Sequence, residues 1–323
     1  TDFGGGYSPK NYDLRYRGDV TLRRALSNSL NIPAVEALRR VGINTTIDSA
    51  KKLGITTLDK NSDYGLSMAL GSAPAKLTEM TNVYATFANG GAHNDITTID
   101  SITDKNSKVI LKAKPKNKQV ISAQTSYIIS SVLSDNIARS EVFGSSLNLS
   151  GGRAGAVKTG TTEDYRDAWT IGYTPSLAIG VWIGNNDNSQ MSKVAGSAGA
   201  APIWKSLMQQ ILVNTPNEKF SVPRGLTVRS VCRANGALAQ TGGSNTLTEY
   251  FIPGTLPTTT CNESRPTTTE PSIAPSNTSE NQTSNQESSG QGQGGAGGNG
   301  GDGNNSGGGT TTQPQVPTVP STP

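Results

Sequence analysis

Apolar residues recur along this chain at two spacings, one helical and one of period two, and the switches between them mark out the elements. Leu22 and Leu26 predict a short helix over 22–26. Val35, Leu38 and Val41 predict a second that opens at Pro33 and stops at Gly42. A third amphipathic stretch runs from 46 to 53, ahead of Gly54. Leu77, Met80, Val83, Tyr84 and Phe87 form a core stripe on a helix over 78–88, closed by Asn89-Gly90-Gly91. Residues 95–112 alternate and turn at Asp104-Lys105-Asn106-Ser107, which predicts a β-hairpin. The helical period returns over 122–138, with Tyr127, Ile128, Val132 and Leu133 inward. A Ser- and Gly-rich loop over 139–153 then leads to a strand that ends around Lys158. The two strongest strand patterns, 167–173 and 177–184, meet at Thr174-Pro175-Ser176 and predict an antiparallel meander with it. A closing helix over 200–212 carries Ile203, Trp204, Leu207, Met208 and Ile211 on one side. The expected class is α+β, an antiparallel sheet with helices on its faces.

The pattern changes near residue 216. Cys232 and Cys261 bracket a small Pro/Gly/Thr-rich segment, and 263–323 is Thr, Ser, Asn, Gln, Gly and Pro with no aromatic residue. Such a tail buries too little apolar area to offset its backbone entropy, so a disordered spacer is expected there. The chain thus divides at 1–215, 216–262 and 263–323. Its 323 residues are only 33% hydrophobic and include 37 glycines, so the composition shifts along the chain. A net charge of +4, scattered along the chain, gives no nucleic-acid footprint. No apolar run is long enough to cross a membrane. The first residue is Thr1 and not Met, which predicts a fragment or a processed chain.

The reactive residues are few. His93, the one histidine, is expected as a solvated loop side chain. With two cysteines it cannot build a Cys/His zinc cluster, and a Ser-His-Asp triad is disfavoured, so no metal or cofactor is expected and any serine chemistry must use lysine as its base. In a reducing compartment Cys232 and Cys261 would be free thiols; in an extracellular chain they would pair, stabilising their segment by roughly 3–4 kcal/mol. The stretch Gly155-Ala156-Val157-Lys158-Thr159-Gly160-Thr161-Thr162 reads as a buried strand with a polar, cationic end. Its Gly160 leaves room for a ligand backbone, its ammonium supplies a field, and its hydroxyls supply directed hydrogen bonds. That suits an extended peptide ending in a carboxylate. Ser29 and Asn31 fall in the connection between the first two helices and can point the same way, though from local sequence alone helix capping is the favoured account of them.

Lys158-Thr159-Gly160 with Ser29-Leu30-Asn31 is the motif pair of penicillin-recognising serine enzymes. Residues 7 to about 261 resemble the transpeptidase domain of bifunctional (class A) penicillin-binding proteins. The carriers are Tyr12-Asp13 before Ala25-Leu26-Ser27-Asn28-Ser29-Leu30-Asn31-Ile32-Pro33; Phe87-Ala88-Asn89-Gly90-Gly91; Lys158-Thr159-Gly160-Thr161-Thr162; Asp167-Ala168-Trp169; Val181-Trp182-Ile183-Gly184-Asn185; and Ala201-Pro202-Ile203-Trp204. The resemblance implies catalytic roles for Ser29, Asn31 and Lys158 and substrate contacts at Thr159, Gly160, Thr161 and Thr162. It likens the Cys232–Cys261 segment to the small extension of these proteins. It implies stem peptides ending in D-Ala-D-Ala as substrates, β-lactams as inhibitors, and a location on the extracytoplasmic face of the membrane.

One departure is large. The family's nucleophile lies in a Ser-x-x-Lys tetrad upstream of Ser-x-Asn, and none is present there. Ser49-Ala50-Lys51-Lys52 lies downstream and reads as a solvated helix face. The expectation is therefore that the nucleophile, a glycosyltransferase domain and a membrane anchor precede Thr1, and that this piece alone is inactive. The alternatives are a D,D-carboxypeptidase, a β-lactamase using one of Glu36, Glu79, Glu141 or Glu163, and a non-catalytic wall-binding module.

Overall fold

A computed structural model describes residues 2–261 except 115, 193 and 241–244. The tail expected over 263–323 lies outside the described residues. At the centre are three antiparallel strands in the order β5 (Ala156–Thr161), β6 (Asp167–Tyr173) and β7 (Ala178–Gly184). Lys158 pairs with Ile171, Gly160 with Trp169, and Trp169 with Trp182. Alternation sends neighbouring residues to opposite faces. Val157 packs against helix α7 (Ala200–Ile211) through Trp204 and Met208. Ala156 and Tyr173 pack against α4 (Leu77–Ala88) and α5 (Ala123–Leu133). Gly172 permits this closeness: a Cβ there would sit 2.7 Å from Trp204 Cε2. The meander and the α+β class are as the sequence predicts.

Several boundaries moved, each for a tertiary reason. Helix α1 spans Leu22–Ser27 and α2 spans Asn31–Val41, so α2 opens at Asn31 and not at Pro33. Its first N–H groups are capped from twenty residues upstream, where Asn11 Oδ1 accepts from Asn31 N at 3.0 Å. Helix α3 runs Ile43–Lys52 and packs Ile47 with Val83 of α4. Helix α5 ends at Leu133, because Asp135 Oδ1 accepts from the backbone of Ile137 and Ala138 and turns the chain. A short helix, α6 (Ser140–Phe143), stands inside the expected loop. On α7 the buried face is Ala200, Ala201, Trp204 and Met208. Ile203, Leu207 and Ile211, expected inward, are 46%, 39% and 53% exposed. The small alanines bring the helix nearer the sheet than the larger aliphatic stripe would.

His93 is also not a solvated loop side chain. It sits in β1 (Ala92–Asn94), paired with β4 (Asn117–Gln119), half-buried. Its Nδ1 is 3.1 Å from the Thr86 hydroxyl, and its ring lies against Gly54, where a Cβ would come within 2.6 Å of Cε1. The predicted hairpin forms as β2 (Ser101–Thr103) and β3 (Val109–Lys112).

The small extension is a four-stranded sheet: β8 (Thr227–Cys232), β9 (Leu238–Ala239), β10 (Thr246–Phe251) and β11 (Thr260–Cys261), in the order β10-β8-β9-β11. Cys232 and Cys261 are joined, with Cα atoms 6.5 Å apart. Tyr250 of β10 packs edge-on against Tyr127 of α5, centroids 5.0 Å apart. Among the described residues no helix is long and apolar enough to cross a membrane.

Candidate active-site groove

Helix α1 delivers Ser29. The helix ends in a Schellman arrangement, with Leu30 N donating to Ala25 O at 2.9 Å and Ser29 N to Leu26 O at 3.1 Å. That motif places one residue in the left-handed region, usually glycine; here it is Ser29, at φ +56°. Such a conformation costs of order 1 kcal/mol in a non-glycine residue, and strain of this kind clusters at working sites. The preceding Asn28 is 2% exposed and locks the turn. Its Nδ2 donates to Ala138 O at 2.7 Å, and its Oδ1 accepts from Val142 N at 3.1 Å. Neither Ser29 nor Asn31 caps a helix with its side chain, since the residue in the cap position before α2 is Leu30.

Strand β5 delivers the cation. Lys158 Nζ donates to Ser29 Oγ at 2.6 Å and to Thr159 O at 2.7 Å. The lysine is half-buried by surface, but its ammonium is enclosed, and loss of hydration pushes it down to about 8 from 10.5. Among the described residues β5 is an edge strand, paired to β6 alone.

Beside that edge lies a cavity of about 730 Å³ lined by Lys158, Thr159, Gly160, Thr161 and Thr162. Ile171, Trp169 and Asp167 of β6 continue the same wall, and Ile55, Leu58, Met68, Met80 and Tyr84 make the apolar wall opposite. By register Lys158, Gly160 and Trp169 share one face of the sheet, so the space left by Gly160 opens on the groove. The threonine hydroxyls are already engaged, and by the same alternation Thr159 and Thr161 turn to the opposite face of the sheet. Thr161 Oγ1 accepts from Gly196 N at 2.9 Å, and Thr162 Oγ1 accepts from Asp167 N at 2.7 Å. Asp167 in turn accepts from Trp182 Nε1 at 2.7 Å, which fixes the β5–β6 turn. Such a wall can take an extended backbone along its edge and a carboxylate at the cationic end.

Asn31 is not brought to Lys158. Its Nδ2 donates to Lys10 O at 2.8 Å, in the loop before α1. Ser49 is exposed and donates to Thr45 O at 2.9 Å, and Lys52 is exposed too, so that Ser-x-x-Lys match is a solvated helix face. The acidic candidates for deacylation are committed elsewhere. Glu36 holds Arg39 and Arg40, Glu79 holds Thr56 and Lys76, and Glu141 holds Arg17 and Arg24. The side chain of Glu163 lies outside the described residues. Sequence reasoning assigned no part to Asn28, although an asparagine directly before a left-handed serine at a helix end is a readable signal. Among the described residues no group of three or more His, Cys, Asp and Glu is placed to hold a metal ion.

Residues 4–209 match the family model of the penicillin binding protein transpeptidase domain, and 222–266 match that of the penicillin-binding protein 1A C-terminal domain. Penicillin-binding protein 1A of Clostridium botulinum is 32% identical over 263 residues, covering 79% of this chain and 31% of that protein. Penicillin-binding protein 2D of Bacillus subtilis is 33% identical over 269 residues, covering 81% of this chain and 38% of that protein. The chain therefore spans about a third of the length of these curated relatives. The crystal structure of penicillin-binding protein 1A from Haemophilus influenzae superposes with a TM-score of 0.70 at 28% identity, over 79% of this chain and 43% of that one. The PonA1 protein of Mycobacterium tuberculosis in complex with penicillin V superposes with a TM-score of 0.59 at 26% identity, over 66% of this chain and 61% of that one. A transpeptidase match over most of the described residues, followed by the matching C-terminal module, establishes that the chain belongs to the penicillin-binding protein transpeptidase family.

Proposed function

We propose that this chain supplies the Ser29/Lys158 side of the active site of a D,D-transpeptidase that cross-links peptidoglycan stem peptides and is inhibited by β-lactams. The observation that carries the reading is the Lys158–Ser29 contact, at 2.6 Å, beside an open strand edge. In this reading the acyl-forming serine and its lysine base lie outside these residues. That serine attacks the penultimate D-Ala carbonyl, and the bond to the terminal D-Ala nitrogen breaks as the ester forms. Ser29 hands a proton to the departing amine, and Lys158 polarises that hydroxyl. The Thr161 N–H, with the serine's own N–H, stabilises the oxyanion. The Thr159 and Thr161 hydroxyls are assigned to the terminal carboxylate by resemblance alone, since by alternation they face away from Lys158. An amine of a second stem peptide then attacks the ester and releases the serine. Asn31 is assigned to the donor amide by resemblance alone, and its amide must leave Lys10 O to reach it. The reaction places the protein outside the cytoplasm, where the Cys232–Cys261 bridge is at home.

The test is labelling of the intact protein with a tagged penicillin, followed by mapping of the modified peptide. An adduct on a serine outside this sequence, lost when Lys158 is replaced, is the expected result. An adduct at Ser49 overturns the residue roles, and no adduct favours a non-catalytic wall-binding module. Release of D-Ala without cross-linked product indicates a carboxypeptidase, and turnover of a chromogenic cephalosporin indicates a β-lactamase.

A further inference from the structure

The groove leaves the buried cation Arg23 unexplained. Arg23 is 6% exposed and lies on α1, the six-residue helix that ends two residues before Ser29. So short a helix has no stability of its own, and Leu22 beside it is 79% exposed, so contacts made by other side chains fix where it sits. Arg23 makes those contacts. Its Nε and Nη2 donate to the two carboxylate oxygens of Glu249 at 2.8 and 2.5 Å, a bidentate pair. Nη1 donates to Ser131 O at 3.0 Å and to Asp135 Oδ2 at 3.3 Å, and Nη2 also donates to Ser131 Oγ at 3.1 Å.

Glu249 belongs to β10, in the C-terminal extension and not in the transpeptidase fold. The route from Arg23 to the groove is short. Ser27 Oγ donates to Arg23 O at 2.7 Å, Asn28 N donates to Arg24 O at 3.2 Å, and Ser29 follows in its left-handed turn. Helix α1 is thus held at one end by Glu249 and at the other by the Asn28 contacts to Ala138 and Val142. The Tyr127–Tyr250 packing sets the extension against α5 beside the same pair.

We propose that the extension is a positioning clamp for the groove: the Arg23–Glu249 pair sets α1 so that Ser29 meets Lys158. Arg23 and Glu249 are positioning residues in this account, which rests on the reading of Ser29 as the proton relay. Removing the Glu249 charge leaves a buried guanidinium facing Asp135 alone, and α1 shifts to relieve it.

The test is the acylation of the intact protein by a chromogenic β-lactam, resolved into the binding constant K and the acylation rate constant k2, with the fraction of competent molecules titrated separately. S29A is made first. A large fall in k2 supports the relay, and an unchanged k2 sinks it and the clamp together. With the relay standing, E249Q is expected to lower k2 about tenfold or more, since a misplacement of ~1 Å carries penalties of that order, and to leave K within about twofold. E249D, which keeps the charge on a shorter arm, is expected to recover part of k2. E36Q, which breaks an exposed ion pair on α2, is expected to leave both constants alone. The clamp is overturned if E249Q keeps the native k2, or if only the competent fraction falls. Should E249Q fail to fold, E249D decides: a severalfold lower k2 supports the clamp, and a native k2 removes it.

Discussion

The Lys158 ammonium is shared between Ser29 Oγ, at the foot of α1, and the carbonyl of Thr159, its neighbour in β5. The first partner is a strained turn and the second is the strand that lines the cavity, so the lysine ties the end of α1 to β5. Replacement by methionine keeps the length and removes a charge that the fold desolvates. K158M is expected to abolish penicillin labelling without lowering the melting temperature, because a buried charge exchanged for an apolar side chain of similar volume is often neutral or stabilising. Labelling and a thermal melt of the same preparation check both halves.

The depressed lysine sets a pH window. Its value is about 8 in the fold against 10.5 for the ordinary side chain. Between those values the unfolded chain binds the extra proton and the folded chain does not, so stability rises with pH across the window. Denaturant melts from pH 7 to 11 are expected to show that rise in the native protein and a flatter profile in K158M. The charged form is lost from the fold as pH passes about 8, so acylation by carboxylate-bearing β-lactams is expected to decline from there, well before 10.5. Asp167, which lines the same cavity, is already bonded to Thr162 and Trp182.

Asn11 Oδ1 accepts from Asn31 N, and Asn11 Nδ2 donates to Arg15 O at 2.8 Å. One buried side chain therefore caps α2 and holds the loop before α1. N11A is expected to cost about 1 kcal/mol, the usual loss for a helix cap, which shifts the melting temperature by ~2–4 °C in a domain of this size. Calorimetry reads it directly.

Gly196 lies flat against the β5–β6 pair. A Cβ there would come within 2.6 Å of Trp169 O, and its N–H is the donor to Thr161 Oγ1. G196A is expected to lift this loop and break its bond to the Thr161 hydroxyl. A stability loss of about 1–3 kcal/mol is the usual range for such overpacking. A lower melting temperature checks it.

The sheet was legible in the sequence because alternation is local. The runs 167–173 and 178–184 carry their period within seven residues each, and the turn residues between them are equally plain. Ser29 was legible only in company. Its own neighbourhood allows helix capping, and what sets its hydrogen bond is a lysine 129 residues away. The start of α2 was misplaced because its cap, Asn11, lies outside any local window. The inward face of α7 was misjudged because the helix has two apolar stripes, and the choice between them is made by how closely Ala200 and Ala201 let it approach the sheet. His93 looked like loop because β1 is three residues long and exists through pairing with β4. The part played by Arg23 was invisible for the same reason as that of Asn28, since both act through partners more than a hundred residues away.

A strand edge left open for a peptide is open to any other strand, including one from a second copy of the same chain. Proteins guard such edges with charge, and lysine at mid-strand is a common guard because an approaching partner must strip its water. Lys158 cannot serve that way, because its ammonium is enclosed between Ser29 and the Thr159 carbonyl, so among the described residues the β5 edge stays open to whatever strand reaches it.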